Sequence, residues 1–513
     1  MLLPLTTLDA GPQGVAMCSA FVFSLPRTWR SAEDGQDLLR RLEEAASRVV
    51  RRWPLLAGIP EMGSDGLWLV NVPDDVDAIG RQRPLYTFTT ATLSQTYQTA
   101  ANLARPPTPF FATPSGILFN PTRNLFIHPS RPASMAEHAA QQRPLLDIHV
   151  TVLSDAVAVG ISVPHGVFDG TGIGQVLSAL TSELRGEDWQ VPSAFEHNPF
   201  IDALEDLAKD EKVEERAKAE KQVFPSLWES WKPFTPIGLK KFLWSAKWEN
   251  WWNRSEAKWL FLKQDLVDSM VAKTKAEVKQ ETGGREYVST GDILAAWLLK
   301  AAHADESSSS DTLSAASLYS ARPLLSPRSS FARAISLYPH CATIPYTLFP
   351  LSPSHPFSLS TLSQTPLSSF SLLIRRSLPQ HRNLPVLQAM WRKMSTSPPL
   401  LPVRDWPKPV AFFLRLYGFF TGHGWDRTPH THRWLLSNQM SLGMSEFSLP
   451  DREGKDLPLL AYHLLGEGAF EMDAVLPFQQ TPAGVTVSGT MRRKRWQSLE
   501  KALRGLQREL GAA

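Results

Sequence analysis

AVAVGISVPHGVFDGTGIG, residues 156–174, carries the strongest local pattern in the chain. Its first half is rich in β-branched residues and reads as a strand. LDIHVTV at 146–152 and a Ser154–Asp155 turn precede it, so the two apolar runs form a hairpin. QVLSALTSEL at 175–184 follows, and its apolar spacing predicts a helix. A strand, a Gly-bearing turn with His165 and Asp169, and then a helix form a frame whose rigid flanks can hold a loop side chain in one position. On spacing alone, a histidine satisfied at the end of a core strand is the better account of this pair.

Working outward, SAFVFSL at 19–25 reads as a buried strand and 31–52 as a helix with Leu38, Leu42, Ala45 and Val49 on one face. Ser31 and Asp34 suit its start, and Pro54 stops it within RRWPLLAG. LWLVNV at 67–72 resumes as a strand. From 196 to 255 the composition turns charged and helical, then rich in Pro and Trp, which predicts a crossover between domains at 1–195 and 256–513. The second domain opens with strand-like KWLFLK and a helix at 289–303 capped by Ser289 and Asp292. The Ser-rich 306–310 and the Pro/Ser-rich 350–405 read as surface loops. GVTVSG at 484–489 is a strand, and Trp496, Leu499, Leu503, Leu506 and Leu510 form the stripe of a closing helix.

Composition bounds the function. At 513 residues, two domains are expected, and 43% hydrophobic residues suffice for substantial cores. Lys+Arg 53 against Asp+Glu 50 gives a net charge of +3, which lacks the concentrated basic surface of a nucleic-acid binder. Two cysteines, Cys18 and Cys341, make neither a disulfide framework nor a zinc set. MLLPLTTLDAGPQG lacks the features of a secretory signal, so a cytoplasmic location is expected. VAFFLRLYGFF at 410–420, interrupted by Arg415, is too short to span a bilayer and reads as core.

The segment His165-Gly-Val-Phe-Asp169-Gly170 resembles the HxxxD signature of the BAHD acyltransferases, particularly their fungal branch in secondary metabolism. TLDAG at 7–11, RWPLLAG at 52–58, STGDILAAWLLK at 289–300 and LYSARPLL at 318–325 resemble further family segments, in the family's order. Where plant members carry DFGWG, this chain has SNQMSLGMSEFSLP at 437–450; its Ser437-Asn438-Gln439 resembles fungal members. The resemblance implies an α/β fold of two similar chloramphenicol-acetyltransferase-like domains, each a mixed sheet flanked by helices, meeting at a channel. It also implies a monomer that transfers an acyl group, most often acetyl, from acyl-CoA to a hydroxylated small molecule.

That chemistry asks little of the protein beyond removal of one proton, because the thioester carbonyl is already activated. His165 titrates near neutrality and suits the role of general base. No GxSxG elbow is present, consistent with direct transfer and no covalent enzyme intermediate. The family pattern points Asp169 away from His165 and onto an arginine, for which Arg322 is the match. Gly170 is expected to supply a backbone conformation closed to other residues. Ser437 and Asn438 are candidates to donate to the developing oxyanion, with a plain strand-end role as the alternative for each.

Two weaker signals remain. His423, His430 and His432 lack the carboxylate or cysteine pattern of a metal site, so no metal is expected. Residues 237–252 place Ile237, Trp244, Trp248 and Trp251 on one face beside lysines, which suits either packing of the crossover or contact with a membrane surface. Two other functions fit the same motif. One is condensation-domain-like amide or ester synthesis, although Pro164 stands where those enzymes carry a second histidine. The other is a catalytically silent member that binds a ligand or partner.

Overall fold

The computed structural model describes the chain except residues 7–8, 10–14, 27–31, 65–66, 104–114, 120–122, 193–197, 210–214, 216–217, 220–254, 307–309, 329–331, 349–356, 397–430, 468–474 and 511–513. The Ser31 cap, the Trp-bearing 237–252, the apolar 410–420, His423 and His430 lie outside the described residues. The strands of the first half are β1 (Leu2–Pro4), β2 (Ala16–Ser24), β3 (Ile59–Met62), β4 (Trp68–Asn71), β5 (Thr87–Thr92), β6 (Gly116–Phe119), β7 (Asp147–Val152) and β8 (Ala156–Pro164). Those of the second are β9 (Ser255–Lys263), β10 (Thr312–Ser320), β11 (Thr343–Thr347), β12 (Thr431–Asn438), β13 (Leu459–Glu467), β14 (Val475–Thr481) and β15 (Gly484–Arg492). The helices that frame the site and the cores are α1 (Ala32–Arg52), α2 (Gly170–Arg185), α3 (Thr290–Ala302), α4 (Leu367–His381) and α5 (Arg493–Glu509).

Two mixed sheets dominate. The first runs β13-β2-β8-β7-β5, antiparallel except for the parallel β7/β5 edge. The second runs β11-β10-β12-β14-β15-β9-β6, with β10, β12 and β14 parallel to their neighbours in that run. A small sheet, β1-β4-β3, stands apart. Each large sheet takes an edge strand from the other half of the sequence: β13 closes the first against β2, and β6 closes the second against β9.

The hairpin read from sequence is β7/β8, and every residue of β8 is buried. Burial on both faces explains why its apolar run is nearly continuous rather than alternating. Gly160 interrupts it for a steric reason: a Cβ there would lie 1.9 Å from the Phe126 carbonyl oxygen, which crosses the strand. In α1, Leu38, Leu42, Ala45 and Val49 are buried, as their spacing predicts, and the helix packs against α2. In α3 the capping box is complete, with the Ser289 N–H donating to Asp292 Oδ2 at 2.8 Å and the Asp292 N–H to Ser289 Oγ at 3.2 Å.

Two expectations fail. The Pro/Ser-rich 350–405 contains helices at Leu359–Gln364, Leu367–His381 and Leu384–Thr396. Composition concealed their apolar spacing: Leu359 and Leu362, Phe370 and Ile374, and Val386, Leu387 and Met390 are all buried. Pro366 stands at the N-cap of α4, where helices tolerate it, whereas Pro379 lies inside α4 and removes a hydrogen bond near its end. The second failure is at α2, which begins at Gly170 rather than Gln175, so the glycines are its first turn and not a loop.

The exchange of edge strands buries a histidine that has no hydrogen-bond partner among the described residues. His463 on β13 is 6% exposed, neither ring nitrogen is bonded to a described residue, and Trp259 of β9 meets it edge-on at 4.7 Å between centroids. Burial pushes its pKa down to about 3. Below the ordinary 6.5 the unfolded chain binds a proton that the folded one refuses, so stability falls as pH falls from 6.5 toward 3. At pH 5 this costs roughly 2 kcal/mol from this residue alone. His463→Leu is expected to raise the melting temperature and flatten its decline between pH 6.5 and 4; an unchanged acid slope would show that His463 does not carry it.

Candidate active site

β8 delivers His165 at its end, where the His165 N–H donates to the Val15 carbonyl beside β2 at 2.8 Å. The next residues fold back at once, with the N–H groups of Val167 and Phe168 both donating to the Pro164 carbonyl at 3.1 Å. The Phe168 side chain is fully buried and meets Trp53 edge-on at 5.9 Å, anchoring the turn in the first core. His165 itself is half-buried. Its Nδ1 lies 2.8 Å from the Phe168 carbonyl oxygen. A carbonyl only accepts, so Nδ1 carries the hydrogen and Nε2 keeps its lone pair in the neutral ring. Burial lowers the imidazole pKa from its ordinary 6.5, which keeps the ring neutral at neutral pH.

Asp169 makes no hydrogen bond to the His165 side chain among the described residues. It is the N-cap of α2, with Oδ1 accepting from the N–H groups of Thr171 at 3.0 Å and Gly172 at 3.1 Å. Arg322 grips it with two parallel bonds, Nη1 to Oδ2 at 2.8 Å and Nη2 to Oδ1 at 2.9 Å. The Ala342 N–H and the Thr343 hydroxyl donate to Oδ2 at 3.3 and 3.1 Å. Of the remaining Arg322 hydrogens, the one on Nε goes to the Tyr338 carbonyl at 2.9 Å, the second on Nη1 to the Thr171 hydroxyl at 3.2 Å, and the second on Nη2 is shared by the Tyr338 and His340 carbonyls at 2.6 and 2.8 Å. Arg322 does not lie within β10; it begins a short helix just beyond its end.

Gly170 has no left-handed backbone, contrary to expectation. A Cβ there would come 2.5 Å from Leu442 Cδ1, the tip of a side chain that can turn aside, so the need for glycine at this position is weak. Gly172 is tighter, with the Pro339 carbonyl oxygen 2.2 Å from the place a Cβ would take. Gly172→Ala is therefore expected to cost about 1–3 kcal/mol as the two segments part. Gly505→Ala, within α5 and with nothing within 4 Å of the place a Cβ would take, serves as the control. It is expected to gain about 0.4–1 kcal/mol, and thermal melts of the two variants give the comparison.

Ser437 and Asn438 end β12. Ser437 Oγ accepts from Gln439 Nε2 at 3.1 Å, and Gln439 Oε1 accepts from Gln479 Nε2 at 2.6 Å, which leaves the Ser437 hydroxyl hydrogen to donate elsewhere. Asn438 is exposed; its Oδ1 accepts from the Met440 N–H at 3.2 Å. The turn that follows brings Leu442 to Gly170, so this segment reaches the start of α2. Among the described residues no hydrogen bond joins Ser437 or Asn438 to His165. His432 is neutral, accepting at Nδ1 from Arg495 Nη2 at 2.6 Å and donating from Nε2 to Asp311 at 3.2 Å. No group of metal-ligating side chains occurs among the described residues.

Sequence reasoning passed over several residues here. Asp9, inside TLDAG, is 1% exposed and accepts from the N–H and hydroxyl of Thr6 and from the Cys341 N–H at 2.7, 2.8 and 2.8 Å. Burial nevertheless raises its pKa to about 7. His340 and Thr343 carry no local signature, since only the fold brings 338–343 against the HxxxD turn.

Two mixed α/β sheets flanked by helices, with an HxxxD turn on one and a buried arginine clamp supplied by the other half of the chain, define the two-domain acyltransferase fold. Residues 125–230 match a family model described as Transferase family. Curated relatives include the O-acyltransferase pboC of Aspergillus ustus, 26% identical over 53% of this chain and 53% of that protein. Acetyltransferase sphE of Aspergillus fumigatus is 25% identical over 53% of this chain and 50% of its own. The chain thus spans about half the length of the curated relatives it matches. In three dimensions it is similar to TRI101 of F. sporotrichioides, solved with coenzyme A and T-2, at 15% identity and a TM-score of 0.63 over 98% of each chain. The family model covers the HxxxD turn, the fungal relatives are acyltransferases by name, and the solved structures share the fold, in the direction that the resemblance read from the sequence implies.

Proposed function

We propose that the chain transfers an acyl group, most simply acetyl, from acyl-CoA to a hydroxyl of a small secondary metabolite, with His165 as general base. The observation that carries this reading is the tautomer: with Nδ1–H held by the Phe168 carbonyl, Nε2 is the free base on a half-buried residue at a strand end. Nε2 takes the acceptor proton as its oxygen attacks the thioester carbonyl, so a C–O bond forms. Collapse of the tetrahedral intermediate breaks the C–S bond, and the coenzyme A thiolate recovers the proton from His165. Every step leaves the enzyme unmodified, so neither Cys18 nor Cys341, both buried, is needed. Ser437, whose hydroxyl hydrogen is uncommitted, is the proposed oxyanion donor, with Asn438 beside it.

The names of the fungal relatives and the coenzyme A complex of TRI101 support the acyl donor and the acceptor class. Release of coenzyme A thiol from acetyl-CoA, measured across a panel of hydroxylated terpenoids and polyketides, tests the reading. Acceptor-dependent release with an ester product is the expected result. A chain that binds these compounds without turnover would instead be the silent binding member of the fold.

A further inference from the structure

The HxxxD turn is held by residues 338–343, and two of those contacts fall on the peptide groups that flank Phe168. The Phe168 carbonyl and the Asp169 N–H belong to one planar peptide unit. On one side its carbonyl accepts from His165 Nδ1 at 2.8 Å; on the other its N–H donates to the Pro339 carbonyl at 3.2 Å. The preceding unit is held in the same way. The Phe168 N–H donates back to Pro164 at 3.1 Å, while the Val167 carbonyl accepts from His340 Nδ1 at 2.8 Å. Since that carbonyl only accepts, His340 is the donor. The His340 side chain is 2% exposed and meets Tyr338 edge-on at 5.0 Å, so it has little freedom to follow a moving loop.

We infer that His340 is a positioning residue for the reaction: from the second half of the chain it fixes the Val167 peptide, and through it the Phe168 carbonyl that orients His165. In this arrangement a main-chain carbonyl does for His165 what a carboxylate does in a hydrolase triad. It holds one ring nitrogen protonated and the other aimed outward. The aspartate of the motif is thereby left to the Arg322 clamp. The charged groups acting on His340 are Asp169 and Arg322, with the titratable Tyr338 ring packed against it, and Asp169 is the charged group nearest in effect on His165. The inference rests on the acyl-transfer reading only for the word reaction; the orientation of the ring stands on geometry.

Asparagine can place its Nδ2 where His340 has Nδ1, whereas leucine has the bulk without the donor, so the two substitutions separate hydrogen bonding from packing. His340→Leu is expected to lower kcat by about tenfold or more with the KM for acyl-CoA unchanged, because only the proton transfer is misaligned. His340→Asn is expected to stay within about threefold of the parent. The imidazole signals of the 13 histidines, isotope-labelled in the whole chain, give a readout that needs no substrate. The His165 signal, assigned by its loss in His165→Gln, should report a protonated Nδ1 in the parent and in His340→Asn. In His340→Leu it should show exchange between tautomers and a lower pKa. If the parent turns over no acceptor yet the His165 signal changes as stated, the acyl-transfer reading fails and the positioning role stands. An unchanged tautomer in His340→Leu, or a His340→Asn variant that folds and shows the tautomer exchange expected of His340→Leu, would overturn the inference. Should His340→Leu not fold, the His340→Asn result alone decides.

Discussion

Arg322→Leu is expected to lower stability by about 3–5 kcal/mol, the cost of stranding one member of a buried ion pair. Asp169 and Arg322 are 2% and 5% exposed, so water cannot replace the lost guanidinium. Five hydrogen bonds from Arg322 go to Asp169, Tyr338 and His340, and all of them vanish together. The double variant Asp169→Asn/Arg322→Leu should recover part of the loss. Asparagine keeps an oxygen for the N–H groups of Thr171 and Gly172 but leaves no unpaired charge behind. Denaturant melts of the single and double variants measure both. A single-variant loss under about 1 kcal/mol would mean that the carboxylate is hydrated rather than clamped.

The pair also explains how a short motif can serve a long chain. The two residues are 153 positions apart, and their bond ties the start of α2, in the first half, to the end of β10, in the second. Asp9 reaches residue 341 from the N-terminal segment, and β13 and β6 exchange between sheets. Loosening the Asp169–Arg322 tie acts on the turn that presents His165, which is why stability and activity are expected to fall together in Arg322→Leu.

What the sequence reveals follows the range of each interaction. The β7/β8 hairpin, the buried stripe of α1 and the capping box at Ser289 and Asp292 are written in spacings of two to four residues. Edge-strand exchange is not, because Leu459–Glu467 reads as a strand wherever it pairs. The glycines from Gly170 to Gly174 look like a loop because glycine is a poor helix former. The structure needs them as helix, since the Leu442 and Pro339 carbonyls approach to 2.2 Å of the Cβ positions at Gly174 and Gly172. His340 had no visible role for a similar reason: its partner, Val167, lies 173 residues away.

His165→Ala is expected to remove about 10²–10⁴ from kcat, the contribution of a positioned general base. The loss should stop short of abolition, because the thioester remains activated and any oxyanion donor remains in place. The half-buried ring stands at the end of β8 rather than inside it, so the melting temperature should hardly change. The pH profile makes the assignment sharper than the rate alone. Burial lowers the pKa of His165 below 6.5, so the neutral ring, which alone can accept a proton, predominates at neutral pH. The parent rate should therefore be level near pH 7 and fall about tenfold per unit once pH drops below that pKa. In His165→Ala the acid limb should disappear along with the rate, since no ring remains to be protonated. The same limb persisting in the variant, at the same position, would assign the proton transfer to another group. Asp9, whose carboxyl burial raises to about 7, would be the first to examine, because a carboxylate needed in its ionised form gives an acid limb as it takes up its proton below pH 7.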